Sequence, residues 1–223
     1  MLQALLAVAG QSGVRHRLAL PARDVRGKRM VRQEEVEPKS NLHFRLMTLA
    51  FKFRDLLRPP QRLLKQARLE EGMRVVDYGC GPGSFTIPAA ELVGPEGKVF
   101  AVDIHPLALC SVERRASRKA LENIETILVK GYDTGIKGTS IDRVLLIDTF
   151  AQIKDREALL SELHRVLKGD GFLLLALEHM SMSKQERIVI NSGLFDMVDS
   201  WEEGMLFAKK TGEKRSQRYA RPD

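Results

Sequence analysis

Cysteine is scarce in this chain: of 223 residues, only Cys80 and Cys110 carry a thiol. Two cysteines cannot build a disulfide framework, and they fit a protein working in a reducing cytoplasm. Long apolar runs are also missing, and none approaches the ~18 residues needed to cross a membrane. The start, Met1 to Gly10, is apolar, but no basic residue precedes it, which makes a poor secretory signal. No internal repeat is present. The five histidines, His16, His43, His105, His164 and His179, are scattered without ligand spacing, so no metal site is expected. The phosphate-cradling pattern G-x-x-x-x-G-K-[ST] does not occur. What remains, 43% apolar and 29% charged residues, is ordinary for a globular domain and excludes a disordered or collagen-like chain.

Basic residues outnumber acidic ones, 36 to 29, for a formal charge of +7. Such an excess suggests nucleic acid only if it sits on the folded body. It does not. Residues 1–29 carry +5, residues 211–223 carry +2, and residues 30–210 are neutral. Residues 1–38 are expected to be an extension without a fixed fold, either a leader ahead of a start at Met30 or an Arg-rich targeting segment. Residues 211–223 form a basic tail.

Between these ends the pattern has two parts. Over 39–68, Leu42, Leu46, Leu49, Phe53 and Leu57 recur at helical spacing, with Phe44, Met47 and Phe51 beside them. This segment is expected to be a helical lid, and its Arg-dotted apolar face could also rest on a membrane surface. Pro59-Pro60 interrupts it, and a short helix is expected over Gln61 to Leu69. Over 69–210, apolar runs alternate with helical stretches. Strands are expected at Met73–Tyr78, Lys98–Ile104, Ile124–Val129, Ile141–Ile147 and Gly171–Leu177. Helices are expected at Ser84–Val93, Pro106–Leu121, Asp155–Leu167, stopped by Gly169, and Ser183–Gly193. Phe195–Asp199 and Met205–Lys209, joined by a short turn, should form an antiparallel last pair. Strands alternating with helices predict an α/β domain whose parallel sheet is covered on both faces.

The sharpest chemical signal is Val75-Val76-Asp77-Tyr78-Gly79-Cys80-Gly81-Pro82-Gly83, between an expected strand and an expected helix. Glycines at alternate positions let the backbone approach a ligand closely, and such a turn lies where α/β sheets bind ligands. The dinucleotide fingerprint G-x-G-x-x-G fails, because Ser84 stands where its last glycine belongs. Asp77, just before the loop, can accept hydrogen bonds from an ammonium group. Asp103, ending the next strand, can accept both hydroxyls of a ribose. Carboxylates suited to an amino acid and to a ribose point to S-adenosylmethionine.

On these residues the chain resembles the class I S-adenosylmethionine-dependent methyltransferases, and most nearly the ubiquinone/menaquinone-biosynthesis methylase type. The likeness also rests on V-F-A-V-D-I at 99–104, I-D-R-V-L-L-I-D at 141–148 and L-H-R-V-L-K-G-D-G at 163–171. It implies a Rossmann-like, seven-stranded, mostly parallel sheet with helices on both faces. It implies that Asp77, Gly79 and Gly81 contact the methionine half of the cofactor, with Cys80, a small filler, and Gly83 completing the cofactor-binding loop. Asp103 would hold the ribose, Ile104 would flank the adenine and Asp133 would sit near the adenine amino group. The family more often has Gly-Asp-Ala where this chain has Gly131-Tyr132-Asp133. Asp148 and Thr149 would lie beside the sulfonium.

The expected activity is methyl transfer to a small organic acceptor, for which an aromatic or lipidic molecule fits. His179, after Glu178 at the end of the fifth strand, is the candidate general base or substrate contact, and Asp148, at the end of the fourth strand, is the second candidate catalytic residue. The run Ile147-Asp148-Thr149-Phe150 lacks the N-P-P-Y-like pattern of nucleic-acid amino methylases, and neither cysteine suits a base methylase. Nucleic acid is therefore disfavoured. The alternatives are an RNA or protein methylase that recruits its substrate through the charged ends, and a cofactor-binding protein without transferase activity.

Overall fold

The structure, a computed structural model, describes the backbone of residues 15–18 and the whole of residues 60–211. The lid expected over 39–68 lies outside the described residues, apart from the end that contains helix α1, Gln61–Gln66. The basic tail lies outside them beyond Thr211.

Each expected strand of the core forms. Strand β1 is Arg15–Leu18, followed by β2 (Arg74–Tyr78), β3 (Lys98–Asp103), β4 (Ile124–Leu128) and β5 (Ile141–Ile147). After them come β6 (Leu167–Ala176), β7 (Phe195–Trp201) and β8 (Gly204–Lys209). The remaining helices are α2 (Thr86–Val93), α3 (Pro106–Arg118), α4 (Arg156–Val166) and α5 (Met182–Asn191). They build one sheet in the order β1-β4-β3-β2-β5-β6-β8-β7, parallel except that β8 runs antiparallel to β6 and β7. Seven of these strands are the ones expected. The eighth, β1, pairs in parallel with β4 inside the stretch expected to have no fixed fold.

Side-chain alternation along the strands makes two cores. Val75, Leu145 and Leu174 face α1, α2 and α3, packing on Leu64, Ile87 and Leu109. Val76, Leu146 and Leu175 face α4 and α5, packing on Leu160, Leu163 and Val189. Strands buried on both faces explain why their sequences are nearly continuous apolar runs. Helix starts follow local chemistry: the Asp155 carboxylate accepts the Ala158 N–H at 2.9 Å, and His105 Nδ1 accepts the Leu107 N–H ahead of Pro106.

Most boundaries shift by one to three residues, and the start of β6 shifts most. Helix α4 stops at Val166, one residue short of the expected Leu167, and β6 begins at once with Leu167 rather than at Gly171. Its pairing with β5 jumps from Ile141↔Leu167 to Arg143↔Phe172, so Lys168–Gly171 form a bulge. A Cβ on Gly171 would stand 2.7 Å from Leu167 Cδ2, so the glycine serves the bulge rather than a helix end. Among the described residues no helix is long and apolar enough to cross a membrane.

Candidate functional site

Strands β2 and β5 are neighbours, but the chain leaves β2 toward β3 and leaves β5 toward β6. Loops that diverge in this way open a crevice at the carboxyl end of a parallel sheet. The glycine loop after β2 forms one wall. Gly79, Gly81 and Gly83 have φ of +76°, +51° and +85°. The Gly79 and Cys80 N–H groups donate to the Val102 carbonyl at 2.8 and 3.1 Å, tying the loop to β3. Ser111 and Arg115 of α3 donate to the Pro82 carbonyl at 3.3 and 3.0 Å. A Cβ on Gly79 would overlap the Thr149 side chain, and one on Gly83 would come 3.0 Å from Val112 Cγ2. Neighbours thus occupy the space that side chains would need.

Asp77 lies beneath this loop and is 2% exposed. Its Oδ2 accepts the Thr86 hydroxyl at 2.6 Å. Burial pushes its carboxyl up to about 7; the Thr86 hydrogen bond opposes this and the nearby Asp103 adds to it. Thr86, at the start of α2, was not anticipated from sequence. Cys80 is buried, and its carbonyl accepts the Gly83 N–H at 3.0 Å. Burial raises its thiol well above the ordinary range, so it fills space beneath the loop as an un-ionised group.

Asp103 closes the same wall. Its Oδ2 accepts the Gly81 N–H at 2.9 Å and its Oδ1 accepts the His105 N–H at 2.8 Å. Burial raises its carboxyl above the ordinary range, and these two N–H groups pull it back. A carboxylate offers about four acceptor positions, so each oxygen keeps capacity for a further donor. Ile104 packs at the margin of the core that faces α4.

The loop after β4 carries Asp133, whose Oδ1 accepts the Gly135 N–H at 2.8 Å. Both its neighbours are anchored to the α4 side. The Tyr132 hydroxyl accepts the Asp155 N–H at 3.0 Å, and Thr134 gives its N–H and hydroxyl to Glu162 Oε1 at 2.9 and 2.5 Å. Tyr132, the departure from the more usual sequence, is therefore a buried tie to α4. The Tyr78 hydroxyl donates to the Gly131 carbonyl at 3.3 Å at the start of this loop, and burial, followed by the neighbouring Glu162, Tyr132, Asp103 and Asp133, raises its phenol above the ordinary range.

The loop after β5 forms the opposite wall. Asp148 has a left-handed φ of +54° and donates its N–H to the Ala176 carbonyl at 3.0 Å. Its Oδ1 lies 3.4 Å from His179 Nε2, and the His179 side chain is 87% exposed. Glu178 holds the next three residues: its Oε1 accepts the Thr149 and Phe150 N–H groups at 2.7 and 2.8 Å, and its Oε2 accepts that of Ala151 at 2.8 Å. These residues enter a short 3-10 turn, Phe150–Gln152. The structure thus gathers the anticipated residues into two groups, the glycine loop with Asp77 and Asp103, and the pair Asp148–His179. The close approach of Gly79 and Thr149 joins them. Among the described residues no group of three His, Cys, Asp or Glu side chains could hold a metal ion.

Known proteins are similar to this chain in sequence and in fold. The methyltransferase-domain family matches residues 69–216, and the chain belongs to that family. A demethylmenaquinone methyltransferase of Geobacillus stearothermophilus is 29% identical over 129 residues, 58% of this chain and 55% of that protein. Nocamycin O-methyltransferase of Saccharothrix syringae is 32% identical over 111 residues, 50% of this chain and 40% of that one. The matches therefore span about half the length of these curated relatives. The crystal structure of a SAM-dependent methyltransferase from Aquifex aeolicus shares the fold, with a TM-score of 0.61, 21% identity, and coverage of 70% of this chain and 91% of that one.

Proposed function

We propose that this domain binds S-adenosylmethionine between the β2 and β5 loops and transfers its methyl group to a small organic acceptor. The observation that carries this reading is Asp103 beside the glycine loop. Its two oxygens each hold one backbone N–H and can each take a hydroxyl from a vicinal diol. The loop next to it has no side chains at Gly79, Gly81 and Gly83. The residues present therefore fit the cofactor: Asp103 for the ribose, the backbone of Gly79–Gly81 for the methionine end, Ile104 and Asp133 for the adenine. When bound, the cofactor supplies a methyl group activated by its sulfonium.

The chain supplies position and proton handling. Asp77 answers to the charge above the loop, because a cation there favours its ionised form and lowers a carboxyl that now titrates near 7. His179 Nε2 faces Asp148, so Nδ1 is the ring nitrogen that would take a proton from a hydroxyl acceptor. Asp148 would then stabilise the imidazolium. The relatives named for demethylmenaquinone and nocamycin support a small acceptor, and an aromatic or lipidic one. The scarcity of cysteine supports a cytoplasmic setting.

Calorimetric titration with S-adenosylhomocysteine tests the reading. Wild-type protein should bind it, and Asp103→Ala should weaken binding by about tenfold or more, the loss of charge-assisted hydrogen bonds. No binding to the wild type, or an unchanged affinity in the variant, would sink it. Incubation with methyl-labelled cofactor and a panel of naphthoquinols and phenols should then identify acceptors, with His179→Ala lowering turnover of the hydroxyl ones.

A further inference from the structure

The Glu178 carboxylate is committed to backbone. It receives the N–H groups of three successive residues, Thr149, Phe150 and Ala151, although it lies on the next strand end, 27 to 29 residues away. Burial raises this carboxyl above the ordinary range, and the three N–H groups pull it back. A desolvated carboxylate is retained only where donors repay its desolvation. Here they come from the loop that forms one wall of the crevice. The neighbouring contacts show what that loop's shape controls. Asp148 is held in a left-handed conformation immediately before the clamped residues. Thr149 fills the Cβ space of Gly79 on the facing wall. His179, next to Glu178, reaches Asp148 at 3.4 Å.

We propose that Glu178 is a positioning residue: by clamping Thr149–Ala151 it holds the Asp148 carboxylate against the crevice, where that charge favours a sulfonium over a neutral thioether. The proposal rests on the reading that the crevice binds S-adenosylmethionine. It assigns Glu178 no contact with the ligand. Its effect passes through Asp148, which carries the charge.

Discrimination between the two cofactor forms tests this, because S-adenosylmethionine and S-adenosylhomocysteine differ by one methyl group and one positive charge. Dissociation constants for both are measured by calorimetry on the wild type, Glu178→Gln, Asp148→Asn and the double variant. A glutamine cannot accept from the loop with both its terminal atoms, so the clamp is broken while its volume is kept. Glu178→Gln should weaken S-adenosylmethionine by about tenfold and S-adenosylhomocysteine by less than about twofold, and the change should vanish in the Asp148→Asn background. Glu178→Asp keeps the charge but is shorter, and should fall between. It also serves as the test if Glu178→Gln does not fold. An equal loss for both ligands would show a merely structural cap and overturn the proposal. So would an unchanged preference, or a full effect in the Asp148→Asn background. A wild type that binds neither ligand would instead overturn the function itself, and this proposal with it.

Discussion

Asp77 shows, at the scale of one residue, how the site strains against the fold. An aspartate in water titrates near 3.8, but this one is buried beneath a glycine loop and held up to about 7. A carboxyl whose folded pKa exceeds its unfolded one stabilises the protein when protonated. That stability is complete below about 3.8 and is lost as pH rises through about 7. Asp77→Asn removes the titration while leaving an oxygen to accept the Thr86 hydroxyl. Its thermal midpoint should exceed that of the wild type by about 5 °C at pH 8 and match it near pH 4. Calorimetric melts across that range check this, and a variant less stable at pH 8 would show that Asp77 is not strained. Asp77 and Asp103 stood out in the sequence because Asp77 lies just before an unusual glycine pattern and Asp103 ends the next strand. Thr86 and Glu178 were not. Their roles come from contacts 9 and 27 to 29 residues away, which no local spacing reveals.

Elements meet in this site through a gap left for a neighbour. Gly79 is required twice over, by its left-handed φ of +76° and by the Thr149 side chain that occupies its Cβ position. Gly79→Ala should cost about 1–3 kcal/mol for the backbone strain alone, plus the displacement of Thr149. Removing the obstruction separates the two causes. Adding Thr149→Ala to Gly79→Ala should recover part of the lost stability, so that the cycle is non-additive. Denaturant melts of the four proteins measure it, and strict additivity would mean that the two loops do not press on each other. The glycines were legible as a motif, but what they make room for was not. Sequence showed that side chains were absent, and only the fold showed that Thr149 on one side and Val112 on the other stand in their place. The central strands were legible for the converse reason. Burial on both faces writes the same apolar requirement into every position, as in Val144-Leu145-Leu146-Ile147. The start of β6 was not, because its bulge is set by pairing with Ile141 and Arg143, far away in the chain.

Across the whole molecule, charge and sheet edge come together at the same end of the chain. Strand β1, Arg15–Leu18, lies in the segment that carries +5 of the total +7, and it covers β4. Its four residues, Arg-His-Arg-Leu, have no strand-like alternation, so nothing but the open edge of β4 marks where they go. This placement separates two roles for the basic segment, ligand contact and edge cover. All the proposed cofactor contacts come from residues 77 to 148, so removing residues 1–29 should leave the affinity for S-adenosylhomocysteine within about twofold. The same deletion uncovers the backbone of β4 and lowers the net charge from +7 to +2. An open strand edge on a nearly neutral body is a template for pairing with a second copy. The truncated protein should therefore self-associate at concentrations where the full chain does not, and the association should grow with added salt as the remaining repulsion is screened. Sedimentation velocity and calorimetry on the two proteins decide it. A truncated protein that stays monomeric would show that β4 needs no cover. One that loses the ligand would show that the N-terminal segment reaches the crevice and that the neutral core does not hold the whole site.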